Sequence, residues 1–325
     1  MGGRNPPMRV LVTGANGFVG QPLCRRLAEL GHHVAGAVRG QPYLPDCVER
    51  RPAGRLVADG NWSAALEGMQ AVVHLAARVH VMHDASHDPL AEFRAANGAG
   101  TLRLAEQAAQ AGIGHLVFLS SIKANGEETT HTPFGPLNAA PVDPYGISKL
   151  EAEQGLAEIA ARTGLAVTVL RPPLVYGPGV KGNFRALIRL VNRGLPLPLG
   201  CCTHNRRSLI GLGNLVDAIR AVLDQPPHPG QCRVFTLCDA EAPSTADLVR
   251  SLARALGRPA RLLPIPVGLM RLGAGLLGKG AAIQRLTASL EVDGSALAAA
   301  IGWVPPETLD EGLTATARWW RNKES

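Results

Sequence analysis

The sequence predicts an α/β protein: a doubly wound parallel sheet of about seven strands, with a smaller mixed α/β lobe beside it. Three observations carry this reading. The short apolar run Arg9–Thr13 leads into the glycine turn Gly14-Ala-Asn-Gly17-Phe-Val-Gly20 and then into a helically spaced segment, 21–30. Strand, tight turn and helix in that order present backbone N–H groups to a pyrophosphate at the positive end of the helix. Further apolar runs at Val34–Val38 and Val72–Ala77 have the length of buried strands. Tyr145 and Lys149 then stand four residues apart behind Asp143-Pro144, an N-cap followed by a first-turn proline. That spacing puts a phenol and an ammonium on one helix face.

Each element has its own justification. The glycine spacing, G-x-x-G-x-x-G, departs from the G-x-G-x-x-G of dinucleotide folds, so a generic glycine turn is the alternative. The second strand usually ends in an acid that accepts the ribose 2′-hydroxyl of NAD, but here Val38 is followed by Arg39. A guanidinium suits a 2′-phosphate, so NADP(H) is the preferred cofactor. NAD(H) is accepted on the alternative that Arg39 is a solvated loop residue. Asp59, after the strand-like Arg55–Ala58, is a candidate acceptor for the adenine amino group. Small residues in Val72–Ala77 let a cofactor lie close. A tyrosine with the reference pKa of about 10 is a poor acid/base at neutral pH, and a neighbouring lysine cation lowers it. Further on, a helix is expected over 215–223 and a strand over 232–237. The nucleotide domain therefore takes 8–170 and 214–240, and the second lobe 171–213 and 241–325.

Bulk properties narrow the function. At 325 residues with a formal charge of +7, the chain has scattered arginines, no long Lys/Arg block and only 4% aromatic residues. An anionic small molecule or a loose membrane attraction fits this at least as well as nucleic acid, for which no recognition helix or aromatic-basic pattern exists. The six cysteines show no C-x-x-C and no ligand spacing, so no metal site and a cytoplasmic, reduced protein are expected. Residues 1–7 read as a leader outside the fold, and no transmembrane segment is expected. The Leu/Gly/Ala-rich stretch 267–286 reads as helix, turn and helix, with attachment to a membrane surface as the alternative.

With these residues in hand, the chain resembles the extended short-chain dehydrogenase/reductase superfamily, in its NAD(P)-dependent nucleotide-sugar epimerase/dehydratase branch, from Met8 to Trp320. The motifs are the glycine turn, His74-Leu-Ala-Ala77, Asn97-Gly-Ala-Gly-Thr101, Phe118-Leu-Ser-Ser121, Tyr145-x-x-x-Lys149 and Arg171-Pro-Pro-Leu-Val-Tyr-Gly-Pro-Gly179. The resemblance implies Tyr145 as general acid/base, Ser121 as the group holding the reacting sugar oxygen, and Lys149 as partner of the nicotinamide ribose. It implies cofactor contacts at Gly14, Asn16, Gly17, Phe18 and Val19, at Arg39, Asp59 and Gly60, and at Leu75, Ala76 and Ala77. Asn97, Ser120, Pro172 and Val175 complete that set, although a strand-end serine such as Ser120 also serves simply to cap backbone. Asn183, Phe184 and Arg207 match positions that hold the diphosphate of a UDP-sugar, with Arg285 as a second cation. A surface salt bridge is the alternative for Arg207.

Two departures shape the expected chemistry. Dehydratases of this branch carry Asp-Glu where this chain has Ile122-Lys123, so dehydration is not expected. Ala124-Asn125-Gly126 stands where an aromatic V-Y-G is usual. A narrower resemblance, in Ala77–His83 and Ser120–Gly126, is to reductases of UDP-4-keto-6-deoxy-N-acetylglucosamine in surface-polysaccharide (lipopolysaccharide, O-antigen) synthesis. Hydride transfer to or from C4 of a UDP-linked hexose is thus expected in a reductase. A UDP-sugar 4-epimerase is the alternative, and a non-catalytic dinucleotide sensor is a remote one. A homodimer through the helices at about 90–110 and 145–162 is implied as well.

Overall fold

The computed structural model of the chain describes residues 6–78, 88–276 and 280–324. Its elements run β1 (Arg9–Thr13), α1 (Gly20–Glu29), β2 (His33–Val38), β3 (Val48–Pro52), α2 (Ser63–Leu66), β4 (Ala71–His74), α3 (Pro89–Phe93), α4 (Gly100–Gln110), β5 (His115–Leu119), α5 (Pro144–Thr163) and β6 (Ala166–Arg171). They continue with β7 (Leu174–Tyr176), α6 (Gly182–Asn192), β8 (Leu209–Gly211), α7 (Leu212–Asp224), β9 (Cys232–Thr236), α8 (Thr245–Leu256), α9 (Val267–Leu276), α10 (Gly280–Thr287), α11 (Ser295–Ile301) and α12 (Leu309–Glu324). Among the described residues, seven strands form one parallel sheet in the order β3-β2-β1-β4-β5-β6-β9.

The inner strands are apolar because each buries both faces, and the period of two sorts their side chains between two cores. Val10 and Val12 of β1 join one core with α1 and α7, while Leu11 joins the other with α2, α4 and α5. Val73 and Val72 of β4 divide the same way. Leu297 and Trp303, which the sequence division groups with the second lobe, pack in the α1–α7 core. A third core builds the lobe: Phe184 and Ile188 of α6, Leu252 of α8, and Leu313 and Trp320 of α12. The short pair β7–β8 runs beside it.

The strand order reverses between β1 and β4, and a crevice beyond the carboxyl ends of strands at such a switch point is where a doubly wound sheet binds its ligand. Thr13-Gly14 and His74-Leu-Ala meet there. A small fourth cluster lies at the same carboxyl edge, where Ile122 and Phe134 pack on Leu290 and Val292.

One expected strand is displaced. Arg55–Ala58 forms bend and turn, and the edge strand is Val48–Pro52 instead. An edge strand needs only one paired side, so V-E-R-R-P serves with Val48 buried and a terminal proline. The expected helix over 215–223 begins earlier, at Leu212. Residues 267–286 form α9 and α10 as expected, with 277–279 outside the described residues. The leader through residue 5 and the resemblance carried by residues 79–83 also lie outside them.

Candidate active site

The glycine turn is fixed by close backbone approach. Gly14 has φ +68°, and a Cβ there would sit 3.0 Å from the backbone nitrogen of Ala76. A Cβ on Gly20 would overlap the Gly14 carbonyl oxygen. Thr13 Oγ1 accepts hydrogen bonds from the backbone N–H of Leu75 (3.2 Å) and Ala76 (3.1 Å). With both lone pairs engaged, its proton goes to His74 Nδ1 at 2.7 Å, and His74 Nε2–H donates to Thr101 Oγ1 at 3.0 Å. Burial, helped by the Lys149 charge, pushes His74 down to about 3 and keeps the ring neutral. The turn, the end of β4 and the start of α4 are thereby tied together.

Beside this turn lies a cleft of about 450 Å³ lined by Thr13, Gly14, Asn16, Arg39, Gly54 and Trp62 among others. Its glycine floor, its place at the switch point and the exposed Arg39 at its wall fit the adenosine half of a nicotinamide dinucleotide. Asp59 is exposed and does not line that cleft. Gly60 is buried, and its carbonyl accepts from Gln107 Nε2 (2.7 Å) and Arg103 Nε (3.2 Å). Gly54 and Trp62 were not anticipated, because a lone glycine and a lone tryptophan carry no motif. A larger cleft of about 780 Å³ runs between α1 and α12, past Phe18, Gly179 and Glu307, and contains neither Tyr145 nor Ser121.

Tyr145 enters through a capped helix. Asp143 Oδ1 accepts from Gly146 N at 2.6 Å, and Pro144 occupies the first turn of α5. A Cβ on Gly146 would overlap the Lys123 carbonyl, so that turn packs against the 3₁₀ turn Ile122–Ala124. Lys123 Nζ ion-pairs with Asp143 and, at 2.8 Å, with Glu127. Ser121 caps the 3₁₀ turn by accepting from Lys123 N at 3.2 Å, which leaves its hydroxyl proton free to donate. Lys149 is buried, donates to the Leu119 carbonyl at 2.9 Å, and sits 4.4 Å from the centroid of Phe118 and 5.8 Å from that of Tyr145.

The expected lowering of the phenol is not found. Burial first, and then the Asp143 charge, pushes Tyr145 up to about 12. Burial likewise pushes Lys149 down to about 7, against the opposing pull of Glu153. Desolvation outweighs the lysine because neither group faces enough water to remain charged cheaply. Asn97 lies in a π-helical turn, Arg94–Ala99, and its amide bonds the backbone N–H and carbonyl of Arg78 at 2.8 and 3.0 Å. π-helical turns of this kind concentrate at functional sites.

Beneath these groups runs a buried ionic network. Glu153 accepts from Arg171 Nε with both oxygens at 3.0 Å and from the Ser120 hydroxyl. Arg171 Nη1 donates to Asn125 Oδ1 and the Pro136 carbonyl, each at 3.1 Å. The two serines therefore divide their work otherwise than expected: Ser121 caps backbone and Ser120 serves the network. Asn125, in the tripeptide that departs from the family pattern, is the knot that joins Arg171 to the carbonyls of Gly135 and Asn138.

In the lobe, Pro172 is buried and accepts from Ile122 N at 2.9 Å, and Val175 is half-buried. Asn183 is exposed at the start of α6. The ring of Phe184 is buried 5.7 Å from that of Tyr176 in the lobe core, so only its backbone is left to face a ligand. Arg207 is half-buried and donates to the Ala288 carbonyl at 3.3 Å. Among the described residues no carboxylate pairs with it, so the salt-bridge alternative is not realised, and burial lowers its pKa. Arg285 is exposed on α10. Among the described residues no group of side chains has metal-binding geometry, and no helix is long and apolar enough to cross a membrane.

A dinucleotide cleft at the switch point, with a capped Tyr–Lys helix on the same edge of the sheet, defines a nicotinamide-dependent enzyme of the extended short-chain dehydrogenase/reductase type. Residues 10–238 match the NAD dependent epimerase/dehydratase family. The chain belongs to that family. It is 42% identical over 319 residues to a UDP-glucose 4-epimerase of Vibrio cholerae, covering 98% of this chain and 97% of that protein. It is 26% identical over 325 residues to an N-acetyl-alpha-D-glucosaminyl-diphospho-ditrans,octacis-undecaprenol 4-epimerase of Escherichia coli O157:H7, covering 95% and 94%. The solved structure of MoeE5 in complex with UDP-glucose and NAD has a TM-score of 0.77 at 27% identity, covering 98% and 100%.

Proposed function

We propose that this chain is a UDP-sugar 4-epimerase. That reading replaces the 4-keto-sugar reductase of the narrower resemblance. The observation that carries it is the whole-length likeness, at 42% identity, to a UDP-glucose 4-epimerase, in a chain that keeps Tyr145 and Lys149 on one face of α5. When bound, the nicotinamide dinucleotide supplies the acceptor and then the donor of hydride at the sugar C4. The glycine turn, Asn16 to Val19 and Leu75 to Ala77 hold it, with Arg39 on its adenosine side.

In its phenolate form, which a charged Lys149 favours, Tyr145 takes the C4 hydroxyl proton in the oxidative half, and the phenol returns it to the same oxygen in the reductive half. Ser121 donates its free proton to that oxygen. Lys149, fixed by the Leu119 carbonyl, faces the phenol and the ribose position. Arg207, with Arg285 beyond it, receives the diphosphate, and Asn183 with the backbone of Phe184 borders the sugar. Lys123, committed to Asp143 and Glu127, is no base, so elimination has no agent here. A preference for NADP(H), an isologous dimer through α4 and α5, and a place in cytoplasmic surface-polysaccharide synthesis belong to the same proposal.

The test is incubation with UDP-glucose, UDP-galactose and their N-acetylhexosamine counterparts, following products and nicotinamide absorbance together. Interconversion of two C4 epimers without net loss of added cofactor is expected. Stoichiometric oxidation of NADPH by a 4-keto sugar, without interconversion of epimers, would restore the reductase.

A further inference from the structure

Helix α9 carries apolar residues on both of its sides. Val267 and Met270 pack inward with Ile283 and Leu286 of α10. On the outside, Leu269 and Leu272 are 60% and 66% exposed, and Leu263, on the segment leading into α9, is 44% exposed. A surface helix normally turns polar residues outward. Here the outward positions between the leucines are Gly268, Arg271, Gly273 and Gly275, so nothing long shields them but one arginine. Isolated exposed leucines need no explanation, whereas three gathered around one short helix do.

The charge along this segment is one-sided, with one carboxylate reaching it from elsewhere in the chain, Glu128, which accepts from Gln284 Nε2 of α10 at 2.7 Å. No Asp or Glu occurs between Asp247 and Glu291. Arg250 and Arg254 are matched by Asp247 and Asp310. Arg258, Arg261, Arg271 and Arg285 are all exposed, and among the described residues none of them forms an ion pair. Among the described residues Arg271 donates to Thr287 Oγ1, at 3.3 Å.

We propose that this face docks on an anionic lipid surface. The three leucines enter the headgroup boundary and Arg258, Arg261 and Arg271 meet lipid phosphates. A nucleic acid would take the charges and leave the leucines in water. A second copy meeting it face to face would set like arginines against each other. A bilayer boundary satisfies both halves of the pattern. The face belongs to the lobe, since α10 leads directly to Ala288, which receives Arg207. The sheet would therefore stand away from the membrane.

The experiment is co-sedimentation of the full chain with vesicles of phosphatidylethanolamine and phosphatidylglycerol, set against vesicles of phosphatidylcholine alone. Binding to the anionic vesicles, weakened by salt, is expected. Leu269→Asp/Leu272→Asp should weaken it at least about tenfold. Arg258→Ser and Arg261→Ser should each weaken it about fivefold. Far-ultraviolet circular dichroism and retained soluble activity show that the variants are folded. No sedimentation with anionic vesicles overturns the proposal, as does binding that survives loss of both leucines. A wild-type oligomer dispersed by the leucine pair, with no vesicle binding, also overturns it and assigns the face to protein.

Discussion

At the residue scale, chemistry is concentrated in one phenol. Tyr145 stands edge-on to Phe93 at 5.8 Å, and burial favours its protonated form. Lys149, shifted down to about 7, is the nearest group able to bias it toward phenolate. Tyr145→Phe is expected to lower kcat by ~10²–10⁴-fold while circular dichroism and cofactor affinity stay as in the parent. An unchanged kcat in a folded variant would remove the phenol from the reaction. Arg39 sets the second expectation at this scale. Its replacement by Ser should weaken NADPH binding by roughly tenfold and leave NADH unaffected, since only the 2′-phosphate needs the guanidinium. Equal affinities for both cofactors in the parent enzyme would end that assignment.

At the scale of elements, α5 matters because its first turn aims Tyr145. Asp143 caps it and pairs with Lys123, joining the helix to the turn that presents Ser121. Asp143→Ala should reduce unfolding free energy by about 1 kcal/mol, as lost N-caps do. It should also move the phenol limb of the pH–rate profile downward, because the carboxylate disfavours the phenolate. A profile fixed in place would show that the cap serves stability alone. The register of this helix was legible from Asp-Pro followed by Y-x-x-x-K, and the glycine turn from spacing alone, because both rest on local geometry. What lay beyond reading was non-local. Glu153 and Arg171 are ordinary charged residues until the fold buries them together beneath Ser120. The edge strand Val48–Pro52 shows no apolar run, since one of its sides has no neighbour. The burial that raises Tyr145 comes from helices distant in the chain, so the sequence suggested the opposite shift.

For the whole molecule, the buried titratable groups govern response to pH. His74 and His115 are held at about 3 and about 4 by burial, against an ordinary 6.5. An unfolded chain therefore takes up protons first as pH falls. The stability they give is complete above pH 6.5 and drains away down to the folded values. Lys149 acts in the same direction at higher pH, so stability also rises from about 7 toward 10.5. The midpoint of urea unfolding should decline steadily between pH 6.5 and 4. A level midpoint across that range would mean that the two rings are protonated inside the fold.

The small cluster in which Ile122 and Phe134 rest on Leu290 and Val292 also bears on biosynthesis. A ribosome paused at residue 289 has already released every strand of the large sheet, yet not the prop on which the turn beside Ser121 leans. Nascent chains halted there should gather into a stable core that turns over no sugar, and competence should arrive only as the final tenth of the polypeptide emerges.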